Sequence, residues 1–177
     1  MQIFSNTQGE YSHASTQVNA PKWLEKKVIS FGKENIKEKD IYTDPEDKSL
    51  GLENETHVTL KYGVPDSPEK VKEITEYFGE ITVTLGKINK FRPEDKDYDV
   101  VIIKIDSDEL KELNKLISDK LECTDTHPTY KPHMTIGYVK KGTCENLVDD
   151  DTFEGMQFTA SSIEFTSKDG EKTTVPL

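Results

Sequence analysis

The sequence predicts an α+β fold built as two like halves, and three observations carry that expectation. A short phrase is written twice, His57-Val58-Thr59-Leu60 and, seventy-six positions on, His133-Met134-Thr135-Ile136. Each copy alternates polar and apolar residues, which is the pattern of a strand with one covered face, and each follows a segment with helical spacing. The length of 177 residues fits one domain, 1–177, with room for two lobes. Residues 1–10 are polar and expected to be flexible. Outside the repeated phrase the halves share no residue-level repeat.

In chain order, 11–18 reads as a first strand ending Ser15-Thr16-Gln17-Val18. Asn19-Ala20-Pro21 then caps a helix with Pro in its first turn. Its inward stripe is Trp23-Leu24, Val28 and Phe31, its exit is Gly32, and Trp23 is expected in the core because it shares the stripe. The stretch 33–55 is charged and turn-rich, with Asp44-Pro45-Glu46-Asp47 and Gly51; a loop of that length is either a lid or binding wall, or a mobile insertion. The motif strand 56–62 ends at Gly63 and Pro65. Ser67-Pro68-Glu69 opens a helix with Val71, Ile74 and Phe78 on one face. Strands follow at 81–85 and 98–105, then a helix at 107–121 with Leu110, Leu113, Ile117 and Leu121 inward, then the second motif strand. After an acidic loop at 140–155, two last strands, 156–165 and 173–175, join through Lys168-Asp169-Gly170.

Composition narrows the function classes. The net charge of −11 and pI near 4.9 oppose long nucleic acid, whose partners carry a basic stripe, so any phosphate-bearing ligand is expected to be small. No apolar run approaches the roughly 20 residues of a membrane helix, and Met1 to Asn6 lacks the pattern of a secretory signal, so the expected location is the cytoplasm, with no membrane partner. Cys123 and Cys144 have no zinc-finger spacing and read as reduced packing residues.

All four histidines are followed two places on by Ser or Thr, so that spacing alone selects nothing. Pro128 makes a central strand at His127-Pro128-Thr129 implausible, and His13-Ala14-Ser15 has weak apolar neighbours. Only His57 and His133 have branched or long apolar residues around the Thr and a tyrosine five positions on, Tyr62 and Tyr138. Alternation assigns those tyrosines to the core face with Val58/Leu60 and Met134/Ile136. It assigns Lys61 to the His57 face, where it either approaches a phosphate or is simply solvated; Gly137 holds the matching place. Imidazole, with a pKa of about 6.5, serves as base or acid near neutrality. Two His and two Thr around one phosphate supply a proton acceptor, a proton donor and hydroxyls for the non-bridging oxygens. No carboxylate cluster at metal-ligand spacing accompanies them, and no cofactor is expected.

His-apolar-Thr-apolar once per half resembles the two-histidine phosphoesterases. Ser15-Thr16-Gln17-Val18-Asn19-Ala20-Pro21, Ile41-Tyr42-Thr43-Asp44-Pro45, Glu55-Thr56-His57-Val58-Thr59-Leu60-Lys61-Tyr62-Gly63 and Tyr130-Lys131-Pro132-His133-Met134-Thr135-Ile136-Gly137-Tyr138-Val139 look like the phage anti-CBASS nucleases, which degrade cyclic oligonucleotide immune messengers. The resemblance implies a bilobed fold, with two pseudo-symmetric halves whose antiparallel or mixed sheets line a central cleft, helices outside, and metal-independent cleavage of cyclic di- or trinucleotides in a host cytoplasm. His57, Thr59, His133 and Thr135 are the implied catalytic set. For nucleotide binding, Glu164 alternates against Ile163 and Phe165 and can accept from a base amine, and Tyr11 is placed to stack on a base. Two other readings stay open: an RNA 2′,3′-cyclic phosphodiesterase, and a protein that sequesters cyclic nucleotides without cutting them. Oligomeric state is not legible.

Overall fold

The computed structural model describes residues 11–124 and 129–177. The expected flexible start at 1–10, and His127, lie outside them. Among the described residues are eight strands and three helices: β1 (Ala14–Asn19), α1 (Lys22–Asn35), β2 (His57–Val64), α2 (Pro68–Thr75), β3 (Ile81–Phe91), β4 (Tyr98–Asp106), α3 (Asp108–Lys120), β5 (His133–Lys140), β6 (Gln157–Ala160), β7 (Ser162–Thr166) and β8 (Lys172–Pro176). The strands make one antiparallel sheet in the order β6-β3-β4-β5-β2-β1-β7-β8, curled into a half-barrel. The α+β expectation with two like halves holds: β2 and β5 stand at the centre, each flanked by its own half.

Helices cover one face. Ser67 and Ser107 start α2 and α3, their hydroxyls accepting from the N–H groups of Lys70 and Leu110 at 3.4 and 3.2 Å, which satisfies donors that a helix start leaves orphaned. The apolar stripes Leu24/Val28/Phe31 of α1 and Leu110/Leu113/Ile117 of α3 are buried in one core with Leu60, Met134, Ile103 and Phe165. α1 packs on β5, whereas α3 packs on β2 and β3. Among the described residues no helix is long and apolar enough to cross a membrane. Cys123 and Cys144 are partly buried and packed against the core.

Several expectations are corrected. Trp23 is 46% exposed: it stands one residue off the buried stripe, and the helix turns it outward. α1 does not end at Gly32 but continues to Asn35. A Cβ on Gly32 would meet Ile136 Cγ2 at 3.2 Å, so this glycine serves close helix–sheet packing. β3 continues past its expected end at Leu85 to Phe91, through a buried Lys90 whose ammonium pairs with Asp99 at 2.9 Å and Glu145 at 2.7 Å; an internal lysine hides a strand from any hydropathy pattern. The expected strand 156–165 is two, broken at Ser161. β6 pairs with β3 and β7 with β1, so the chain crosses between halves there.

Part of the 33–55 segment is paired by backbone to the sheet. Ile41 bridges Val139 and Leu52 bridges Gly137. Backbone hydrogen bonds from Tyr42 N to Tyr138 O (3.0 Å), Tyr138 N to Gly51 O (2.8 Å) and Glu53 N to Ile136 O (3.0 Å) sew it to the free edge of β5, as a wedge where β5 parts from β2.

Candidate active site

β2 and β5 touch through one backbone pair, Val58 with Met134. Antiparallel counting from that pair sets His57 opposite Thr135 and Thr59 opposite His133, on one face. Val58, Leu60, Met134 and Ile136 are buried on the helix side, while His57, Thr59, His133 and Thr135 are all partly exposed on the inner face of the curl. The structure therefore brings the four residues of the repeated phrase together.

Each strand carries a bulge directly after its threonine. On β2, Thr59 pairs with Gln17 but Lys61 with Thr16; on β5, Thr135 pairs with Ile102 but Gly137 with Val101. Two successive residues then share the helix side, Leu60 with Lys61 and Ile136 with Gly137. This overturns two readings. Lys61 leaves the His57 row and is only 8% exposed, its backbone exchanging hydrogen bonds with the Thr16 hydroxyl at 3.1 and 3.2 Å. Tyr62 and Tyr138 rotate the other way, to the histidine side: Tyr62 pairs with Ser15 and meets His13 edge-on at 5.3 Å, and Tyr138 pairs with Val100 and meets Tyr98 at 5.4 Å. Both are buried, but not in the helix-side core.

The two imidazoles are held differently. His133 Nδ1 lies 2.8 Å from the Lys131 carbonyl, which makes Nδ1 the protonated nitrogen and leaves Nε2 as the lone-pair atom. Its ring meets Phe91 edge-on at 4.7 Å. His57 is pushed down to about 4 by burial, then by the Lys172 charge, against the opposing pull of Glu164 and Glu55. It is therefore neutral at pH 7. Tyr130 donates to the Thr59 carbonyl at 2.8 Å, fixing the backbone between the two strands.

Glu164 sits in the same row. It pairs with Gln17 across the sheet and accepts from Gln17 Nε2 at 3.2 Å and Asn19 Nδ2 at 3.1 Å. Asn19 is the backbone partner of His57. The Glu164 carboxylate, with Asn19, Ser161 and Thr174, also borders a cavity of about 250 Å³. Tyr11 bonds the Lys168 backbone at the end of β1 opposite to Asn19, the residue that pairs with His57. Gln17, Asn19 and Lys172 contact Glu164, and Phe91 contacts His133; the sequence does not single them out. Gln17 and Asn19 were open to parity counting against buried Thr16 and Val18; Phe91 and Lys172 had no local signal. Among the described residues no three His, Cys, Asp or Glu side chains cluster as a metal ion would require.

Paired His-x-Thr strands on the inner face of a curled antiparallel sheet, backed by helices, define a two-histidine phosphoesterase. Residues 40–172, three quarters of the chain, match the 2′-5′ RNA ligase superfamily, and the chain belongs to it. Solved structures with a similar fold include TT0787 of Thermus thermophilus, at 12% identity and TM-score 0.63 over 91% of this chain and 93% of that one. Escherichia coli LigT is similar at 13% identity and TM-score 0.61, covering 95% of both chains. Kluyveromyces marxianus Usb1 is similar at 11% identity and TM-score 0.58, over 93% of this chain and 97% of that one. No curated protein sequence matches the chain.

Proposed function

We propose that the protein cleaves 3′–5′ phosphodiester bonds of cyclic di- or trinucleotides without a metal ion, and so blocks CBASS-type antiphage signalling. The observation that carries the chemistry is the cross-strand square of His57, Thr135, His133 and Thr59 around the Val58–Met134 pair. A neutral His57 takes the proton from the attacking oxygen, a ribose 2′-hydroxyl or water, as that oxygen bonds phosphorus. His133, whose Nδ1–H rests on the Lys131 carbonyl, points Nε2 at the leaving group and, entering the cycle as imidazolium, delivers the Nε2 proton to the leaving 5′-oxygen as the P–O bond breaks. Thr59 and Thr135 donate to the non-bridging oxygens, where charge grows.

Three features support a small cyclic substrate: the net charge of −11, the flanking sequence likeness to anti-CBASS nucleases, and a carboxylate, Glu164, framed by Gln17 and Asn19 beside the phosphate position. A carboxylate accepts from an exocyclic base amine. LigT is known in complex with 3′-AMP and Usb1 with uridine monophosphate; a nucleotide ligand for this chain is in keeping with both.

The test is incubation with a panel of cyclic di- and trinucleotides and a 2′,3′-cyclic-ended RNA, in excess chelator, with the products separated. Linear products from the cyclic compounds in chelator are the expected result. Turnover that vanishes with chelator refutes the metal-free route, preference for the RNA end moves the protein to RNA processing, and tight retention without products makes it a sequestering protein.

A further inference from the structure

Lys172, on β8, reaches over β7 and β1 to place its ammonium 3.3 Å from both Glu164 and Glu55. β8 pairs Thr174 with Glu164, and β1 pairs Gln17 with Glu164 and Asn19 with His57, so Lys172 shares the inner face with the histidine row. Its side chain is 49% exposed, that of Glu55 70% and that of Glu164 18%. The ammonium is therefore held by one largely solvated carboxylate, Glu55, and one mostly covered carboxylate, Glu164, that Gln17 and Asn19 also bond. Burial pulls its pKa down, yet Glu164 and Glu55 outweigh that and keep it raised, so Lys172 is charged at pH 7. Among the described residues it is the side-chain cation whose charge bears on His57.

An anionic diester entering beside Glu55 and Glu164 meets two negative charges, and without a cation the approach is unfavourable. We propose that Lys172 is a releasable counterion: on substrate entry its ammonium leaves the carboxylates for a phosphate oxygen, and that exchange frees Glu164 to accept from a base. Glu55 acts as the resting place of the cation and competes with the phosphate for it. The inference rests on the phosphodiesterase reading above. It adds a coupling: phosphate capture and base capture become one event, because a single cation masks Glu164 until a phosphate removes it.

The experiment compares wild type, Lys172→Met, Lys172→Arg and Glu55→Gln, all at exposed positions. Binding of 3′-AMP is measured by calorimetry, and the His57 imidazole is titrated by NMR. A charge-assisted hydrogen bond to phosphate corresponds to roughly tenfold to a hundredfold in affinity. Lys172→Met is expected to weaken 3′-AMP by about that factor and to raise the His57 midpoint. Lys172→Arg should bind within about threefold of wild type, since the charge is kept. Glu55→Gln should tighten binding and lower the His57 midpoint. On whichever diester the panel identifies, Lys172→Met should raise KM more than it lowers kcat. Wild-type affinity in Lys172→Met, weaker binding in Glu55→Gln, or no binding of 3′-AMP to the wild type would overturn the inference. Failure of the wild type to cut any panel member refutes the reaction instead, while the 3′-AMP and NMR results still decide on Lys172.

Discussion

β2 and β5 carry the same pattern, His-apolar-Thr-apolar, and the same bulge after the threonine, yet their free edges are closed by unrelated means. Beyond the Val58–Met134 pair, β5 is sewn by backbone to the 41–53 wedge. β2 is capped group by group: Asn114 Nδ2 donates to Leu60 O at 2.7 Å, Tyr130 to Thr59 O at 2.8 Å, and Thr124 N to Gly63 O at 2.8 Å. Geometry at the phosphate demands like strands; behind it, any donor that satisfies a bared carbonyl suffices. This is why the repeat at residue level stops with the motif. The imidazoles differ in the same way, His133 fixed by a carbonyl and His57 governed by burial and neighbouring charge.

The largest expected effect tests whether the two strands are equal in chemistry. His57→Ala and His133→Ala should each lose roughly 10²- to 10⁴-fold in turnover, and Thr59→Ala or Thr135→Ala roughly tenfold to a hundredfold. Near-wild-type turnover in either histidine variant breaks the pairing. The pH profile separates them. A base works only when neutral, and His57 protonates near pH 4, so the acid limb of kcat/KM is expected near 4 rather than near the usual 6.5.

A middle-sized effect sharpens the contrast between the two edges. A Cβ at Gly137 would lie 2.8 Å from Leu52 Cδ2 and 3.1 Å from Gly51 O, so Gly137→Ala forces the wedge away and should cost about 2 kcal/mol. Asn114→Ala removes one cap at a half-buried site that water can reach, for about 1 kcal/mol. Denaturant unfolding of both variants checks the order; equal costs would mean that the wedge is no tighter than the caps.

The smallest effect concerns Glu53 in the wedge, raised to about 7 by burial and then by Glu55. A carboxyl with a raised folded pKa contributes stability below its unfolded pKa of about 4.5, and that contribution is lost as pH rises through about 7. Thermal unfolding of Glu53→Gln should match wild type near pH 5 and exceed it at about pH 8. Parallel curves at both values would place Glu53 outside the buried part of the wedge.

Much of this was legible in the residues. Alternation at 57–60 and 133–136 placed His and Thr on one face, and helical spacing marked all three helices. What escaped has physical causes. A bulge changes hydrogen-bond register without changing hydropathy, so Lys61, Tyr62 and Tyr138 lie on the sides opposite to those that simple alternation predicts; Gly137 inside a strand is the available hint. Lys90 is buried because Asp99 and Glu145 accept it, a partnership no local window contains. Lys172 meets Glu55 across 117 positions of sequence through the curl of the sheet. Trp23 shows that adjacency to a stripe is not membership in it.

The crossing at Ser161 has a consequence for how the sheet closes. Among the described strands β1 comes first in sequence, but its second neighbour, β7, comes only after β6, which pairs in the opposite half. The row that holds Asn19, Gln17 and Glu164 is therefore closed by a contact across 147 positions of sequence, and closing so long a loop carries an entropy cost that local pairing does not. The His57 side of the sheet thus depends on long-range pairing of β1 with β7, although His57 itself precedes His133 in the sequence.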